Sequence, residues 1–115
     1  MDEQHYWDVA ERDIEIQNPV TDRKLRLLDD YCDMRDGLRV LDIGCGKAWV
    51  MRQWAERFEI EGTGLELNRR FIDAATRLAS AKRIAHRLNF VHGRALDYKP
   101  EPSGFDVVLC LGATF

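Results

Sequence analysis

A chain of 115 residues, 45% hydrophobic and 32% charged, has the length and composition of one small globular domain and is too short for two full-sized ones. Its formal charge of −3 is too small to imply a polyanionic partner, no uninterrupted apolar run reaches the length of a membrane span, and the acidic N-terminus is unlike a signal sequence. Cys32, Cys45 and Cys110 are an odd number with no short pairing pattern, which favours a reducing, cytoplasmic compartment and no disulfide framework. The charge is also unevenly spread. Residues 1–36 carry eleven acids against five Lys and Arg, whereas residues 69–94 carry seven Lys and Arg against Asp73 alone.

Residues 1–18 mix acids with His5, Tyr6, Trp7, Ile14 and Ile16, an arm whose aromatic pair is expected to staple it to the body, the alternative being a lid over a bound ligand. Asn18-Pro19 breaks whatever precedes it, so the chain divides into an arm over 1–20 and a domain over 21–115. Thr21 or Asp22 is positioned to cap a helix running to about Met34, with Leu25, Leu28, Tyr31 and Cys32 on its apolar stripe. Asp36-Gly37 is a turn that launches the central strand.

That strand is Val40, Leu41, Asp42 and Ile43, a branched apolar run of the kind buried on both faces in a parallel sheet. It ends in Gly44-Cys45-Gly46 and opens a helix whose buried face is marked by Trp49, Val50, Trp54 and Phe58. Glycines there let a ligand approach the backbone without meeting a Cβ, and the helix start aims unpaired N–H groups at the same place. A second strand, Glu61 to Glu66, ends in an acid 22 residues after Gly44, the layout of a nucleoside site with the acid on the ribose hydroxyls. Gly62 and Gly64 weaken this strand, which is tolerable if a ligand or a neighbouring backbone lies close.

Leu67 follows Glu66, where an apolar side chain can cover one face of an adenine, and Asn68 is the expected N-cap of the next helix. That helix carries Phe71, Ile72, Ala75, Leu78 and Ala79 on its inner side and is expected to run on through Leu88. Its outer face, with Arg69, Arg70, Arg77, Lys82 and Arg87, reads as a solvated face. It lacks the interleaved aromatics that would stack bases, so nucleic acid is not the expected partner. Asn89 to Gly93 is a third strand, and Phe105 to Leu111 a fourth, the clearest in the chain. His86 and His92 lack metal-ligand spacing with any Cys or acid, so no metal site is expected.

Asp42-Ile43-Gly44-Cys45-Gly46-Lys47-Ala48 resembles motif I of the class I S-adenosylmethionine-dependent methyltransferases, acid-x-Gly-x-Gly-x-Gly, with Ala48 at the third glycine. The dinucleotide fingerprint Gly-x-Gly-x-x-Gly fails instead, because its third position is Trp49. A carboxylate at Asp42 suits a cofactor carrying a sulfonium and an ammonium, where a pyrophosphate would be repelled. The resemblance runs from about Asn18 to Phe115 and covers strands one to four of the family's seven. It implies an α/β, Rossmann-like parallel sheet in the order 3-2-1-4 with flanking helices, truncated relative to the family's 3-2-1-4-5-7-6.

The resemblance further implies S-adenosylmethionine as cofactor, S-adenosylhomocysteine as product, and methyl transfer to an acceptor that the sequence does not identify. Gly44 and Gly46 would allow close approach to the methionine part, with Cys45 a small packing residue between them. Asp42 would orient the ammonium, Glu66 would take the ribose hydroxyls, Leu67 and Leu96 would cover the adenine faces, and Ala95 would meet an adenine edge by its backbone N–H. Leu111, at the end of strand four, would face the cofactor across the sheet. Where the family places an acid for the adenine amino group, this chain has Arg94, a side chain without an acceptor, so that contact falls to Asp97 or to the backbone around Ala95. No side chain takes the role of general base. A non-catalytic half-domain that binds the cofactor, or only folds and dimerises, is the alternative. As the last strand of such a sheet, Phe105 to Leu111 is an apolar edge, expected to pair with its copy in a homodimer.

Overall fold

A computed structural model of the chain describes residues 22–94, 97–98 and 104–110. They fall into two units, one ending at Asp33 and one beginning at Met34. In the first, helix α1 (Asp22–Tyr31) is shorter than its periodicity suggests. Leu25 is buried and Leu28 half-buried, but Tyr31, expected on the apolar stripe, is 90% exposed at the helix end. The chain leaves the helix through Asp33 at φ 52°, so the last turn of the expected stripe is never built. Burial, and after it the negative charge of Asp29, push the Cys32 thiol above its ordinary pKa.

The second unit is a four-stranded parallel sheet in the order β3-β2-β1-β4, as the resemblance implies. The strands are β1 (Arg39–Ile43), β2 (Glu61–Glu66), β3 (Leu88–His92) and β4 (Val107–Leu109). Helix α2 (Trp49–Arg57) links β1 to β2, and α3 (Arg69–Ala81) leads from β2 towards β3. Val40, Leu41 and Asp42 are all buried, as a strand covered on both faces requires. Trp54, Met51, Ile60 and Val40 are the largest side chains fully shut away from solvent, and they fix the core where α2 lies on the sheet.

The glycines of β2 make room for neighbouring side chains. A Cβ on Gly62 would sit 2.5 Å from Met51 Sδ and 2.9 Å from Leu88 Cδ2. One on Gly64 would sit 2.7 Å from Cys45 Sγ and 3.1 Å from Phe90 Cδ1. The gap expected to admit a ligand or backbone is filled by Met51 from α2 and by Cys45 from the turn after β1. Cys45 is buried, and its Sγ lies 3.5 Å from the Gly46 carbonyl.

Helix α3 stops at Ala81 and does not continue to Leu88. Arg83 takes a left-handed conformation (φ 61°), and a 3₁₀ turn over Ala85–Arg87 follows. Arg87 therefore leaves the basic face on which its spacing placed it. Its guanidinium donates to the carbonyls of Ala55 (2.7 Å), Phe58 (3.0 Å) and Ile60 (3.2 Å), with Glu59 at 3.8 Å. The Ala55 carbonyl lies in the last turn of α2 and the Phe58 carbonyl at its C-cap, so a cation there closes the helix and meets the negative end of its dipole, while the Ile60 carbonyl lies beyond it, just before β2.

Strand β4 is shorter than the apolar run Phe105 to Leu111. Asp106 pins its start: its N–H donates to the Arg39 carbonyl (2.8 Å) and its Oδ2 accepts from the Arg39 N–H (2.8 Å), which sets Val40 beside Val107. Phe105 lies under the Arg39 guanidinium, 5.3 Å from ring centroid to Cζ. Among the described residues β4 pairs with β1 alone, and Val108 is 59% exposed.

Candidate functional site

The C-terminal ends of β1 and β2 lie side by side, with Ile43 opposite Leu65 in the parallel register. In an open parallel sheet the crevice beyond those ends is where ligands bind. The turn leaving β1 is tight: Gly44 (φ 66°), Gly46 (φ 57°) and Ala48 (φ 58°) are all left-handed. For the two glycines this costs nothing. For Ala48 it is strain of about 1 to 3 kcal/mol, which persists only where the surroundings over-determine it. The Ala48 N–H donates to the Cys45 carbonyl (2.7 Å), which closes the turn on itself, and the Cys45 N–H to the Leu65 carbonyl (2.9 Å), which ties it to β2.

Glu66 is buried and sits between the two turns. Its Oε1 accepts from the Gly46 N–H (2.8 Å) and its Oε2 from the Asn68 N–H (2.7 Å). An ionised carboxylate has about four acceptor positions. Two serve the backbone here, and one remains on each oxygen, the number that the two hydroxyls of a ribose need. The backbone of the same turn is held from β3, where the Gly93 N–H donates to the Glu66 carbonyl (3.0 Å) and His92 Nε2 lies 2.8 Å from the Leu67 carbonyl. A carbonyl can only accept, so Nε2 of His92 carries the proton.

Leu67 is 40% exposed although apolar. Asn68 caps α3 as expected, its Oδ1 accepting from the Arg70 N–H (3.0 Å). Its Nδ2 is the buried side-chain polar atom among the described residues that has no hydrogen-bond partner. An unsatisfied donor two residues from Glu66 fits a site completed by something polar. Asp42 is buried within β1, flanked in register by Gly64 and Leu109, one residue short of the turn it was expected to serve. Arg94 Nε pairs with Asp97 Oδ2 at 3.1 Å, so a cation meets the acid expected to replace the missing acceptor. Ala95, Leu96 and Leu111 lie outside the described residues.

Sequence reasoning missed Arg52. This residue of α2 is 8% exposed, and its Nε donates to the Lys47 carbonyl in the turn (2.8 Å). The available signal was position. A long side chain one turn into a helix leans back towards the N-terminus, here onto the glycine loop.

The methyltransferase domain family matches residues 40–115. The chain is 32% identical over 115 residues to the Escherichia coli (strain K12) protein YjhP, covering 100% of this chain and 46% of that one. It superposes with TM-score 0.80 and 35% identity on an S-adenosylmethionine-dependent methyltransferase from Thiobacillus denitrificans crystallised with S-adenosyl-L-homocysteine, over 98% of this chain and 45% of that one. A second such enzyme, from Geobacter sulfurreducens, also crystallised with S-adenosyl-L-homocysteine, gives 0.79 and 33% over 96% and 44%. The chain thus spans about half the length of these relatives.

Proposed function

Because the chain belongs to the class I S-adenosylmethionine-dependent methyltransferases, we propose that the crevice beyond β1 and β2 holds the adenosyl cofactor, with Glu66 on its ribose. The observation that carries this reading is the Glu66 carboxylate, which bridges the two turns and keeps one acceptor position free on each oxygen. Beside it, Leu67 would cover the adenine, and the backbone around Gly44, Cys45 and Gly46 would follow the methionine part. Asp42 would act on the ammonium from below the turn. Ala95, Leu96 and Leu111 keep the adenine-edge, adenine-face and strand-four roles that the resemblance assigns them. When bound, the cofactor supplies a methyl group on a sulfonium centre, open to attack by a nucleophilic acceptor. The chain's own contribution is then to position and to exclude water. No acceptor is assigned.

Calorimetric titration with S-adenosylmethionine, S-adenosylhomocysteine and NAD, beside a methyl-transfer assay over an acceptor panel, tests the reading. The expected result is micromolar binding of both adenosyl ligands with a one-to-one stoichiometry and no heat from NAD. NAD binding without adenosyl binding would overturn it. Binding with no transfer to any acceptor would assign the chain to cofactor binding alone.

A further inference from the structure

We propose that Arg52 is a positioning residue for the cofactor loop, the group that holds Ala48 in its left-handed conformation and so presets the turn that receives the methionine part. The ligand half of this statement rests on the function proposed above; the loop half does not. Arg52 reaches two successive carbonyls of the turn. Its main-chain N–H donates to the Ala48 carbonyl (2.9 Å), and its Nε to the Lys47 carbonyl (2.8 Å). The two peptide units that flank the Ala48 Cα are thus each held by Arg52, one through its side chain and one through its backbone. From the opposite direction, Glu66 Oε1 takes the N–H of Gly46. A buried cation pulls on a carbonyl and a buried carboxylate pulls on an amide one residue apart, each the stronger, charge-assisted kind of hydrogen bond.

Such over-determination is what a strained alanine needs. Glycine enters the left-handed region freely, whereas Ala48 does so at a cost that its surroundings must offset. The Nε bond is the part of that grip that a side-chain substitution can remove. Without it, Ala48 can relax towards ordinary backbone angles and carry Gly46 and Lys47 with it. The effect falls first on the methionine end of the site, because Glu66 keeps its bond from the Asn68 N–H and its turn stays held from the β3 side when the loop relaxes.

The experiment compares Arg52→Met, Arg52→Lys and each combined with Ala48→Gly in the whole chain. Amide hydrogen exchange at Gly46, Lys47 and Ala48 is followed without ligand, and affinities are measured for S-adenosylhomocysteine and for methylthioadenosine, which lacks the amino-acid part. In Arg52→Met the three amides are expected to exchange about tenfold faster and S-adenosylhomocysteine to bind about tenfold more weakly, the scale of one charge-assisted hydrogen bond. Methylthioadenosine should stay within about twofold, and Ala48→Gly should recover most of both losses, since glycine needs no holding. If Arg52→Met fails to fold, Arg52→Lys carries the same comparison with smaller losses. Unchanged loop exchange, equal weakening of both nucleosides, or no recovery with Ala48→Gly would overturn the proposal. If the unaltered chain binds neither nucleoside, the proposed function falls, and the exchange data alone decide the loop.

Discussion

Glu66→Ala is expected to lower the affinity for S-adenosylhomocysteine at least tenfold and to destabilise the ligand-free fold by about 3 kcal/mol. The affinity term is the loss of charge-assisted hydrogen bonds to the ribose hydroxyls. The stability term has a separate origin. The carboxylate accepts from Gly46 N–H and Asn68 N–H at 2.8 and 2.7 Å in a buried position, so alanine strands two backbone donors away from water. Glu66→Gln, which keeps one acceptor oxygen, should fall between. Urea unfolding and calorimetry on the same three proteins separate the terms. Undiminished affinity in the alanine variant would contradict the ribose role, and undiminished stability would contradict the bridge.

Gly64→Ala is expected to cost about 1 to 3 kcal/mol, the range for inserting a methyl into a filled core. The new Cβ would stand 2.7 Å from Cys45 Sγ, 3.2 Å from Cys45 Cβ and 3.1 Å from Phe90 Cδ1. Cys45 has a short side chain fixed to the glycine turn, so it yields only by moving that turn, and S-adenosylhomocysteine affinity should fall together with stability. The double variant Gly64→Ala with Cys45→Ala removes the closest atom and should recover part of the loss, giving a favourable coupling of at least about 0.5 kcal/mol in a double-mutant cycle. Strict additivity would show that the sulfur is not what Gly64 makes room for. At Gly62 the nearest atom is the Sδ of Met51 at 2.5 Å, on a longer and more pliant side chain.

The parts of the fold that were legible are those where one local signal and the tertiary structure agree. The branched run ending in Gly44-Cys45-Gly46 fixes β1 and the turn, the acid at Glu66 closes β2, Asn68 caps α3, and the order 3-2-1-4 follows from the family they resemble. What escaped was decided by contacts distant in sequence. Nothing in Lys82-Arg83 breaks a helix locally. Yet α3 stops there, and Arg87 closes the end of α2 about 30 residues back, with Ala55 separated from it by 32 positions. Tyr31 kept the helical spacing but fell at the last residue of α1, where it is exposed. The glycines of β2 advertised a gap without saying what fills it. In the site, the turn and the acid could be read, but not that Glu66 spends half its acceptor capacity on the backbone, nor that a buried arginine grips the loop from α2.

The most direct measurement is a crystal structure of the chain grown with S-adenosylhomocysteine. The ligand is expected beyond the ends of β1 and β2, its ribose hydroxyls about 2.6 to 3.0 Å from the two Glu66 oxygens and its amino-acid part along Gly44 to Gly46. Ligand density elsewhere, or a ribose out of hydrogen-bonding reach of Glu66 with the Gly46 and Asn68 bonds unchanged, would contradict the assignment.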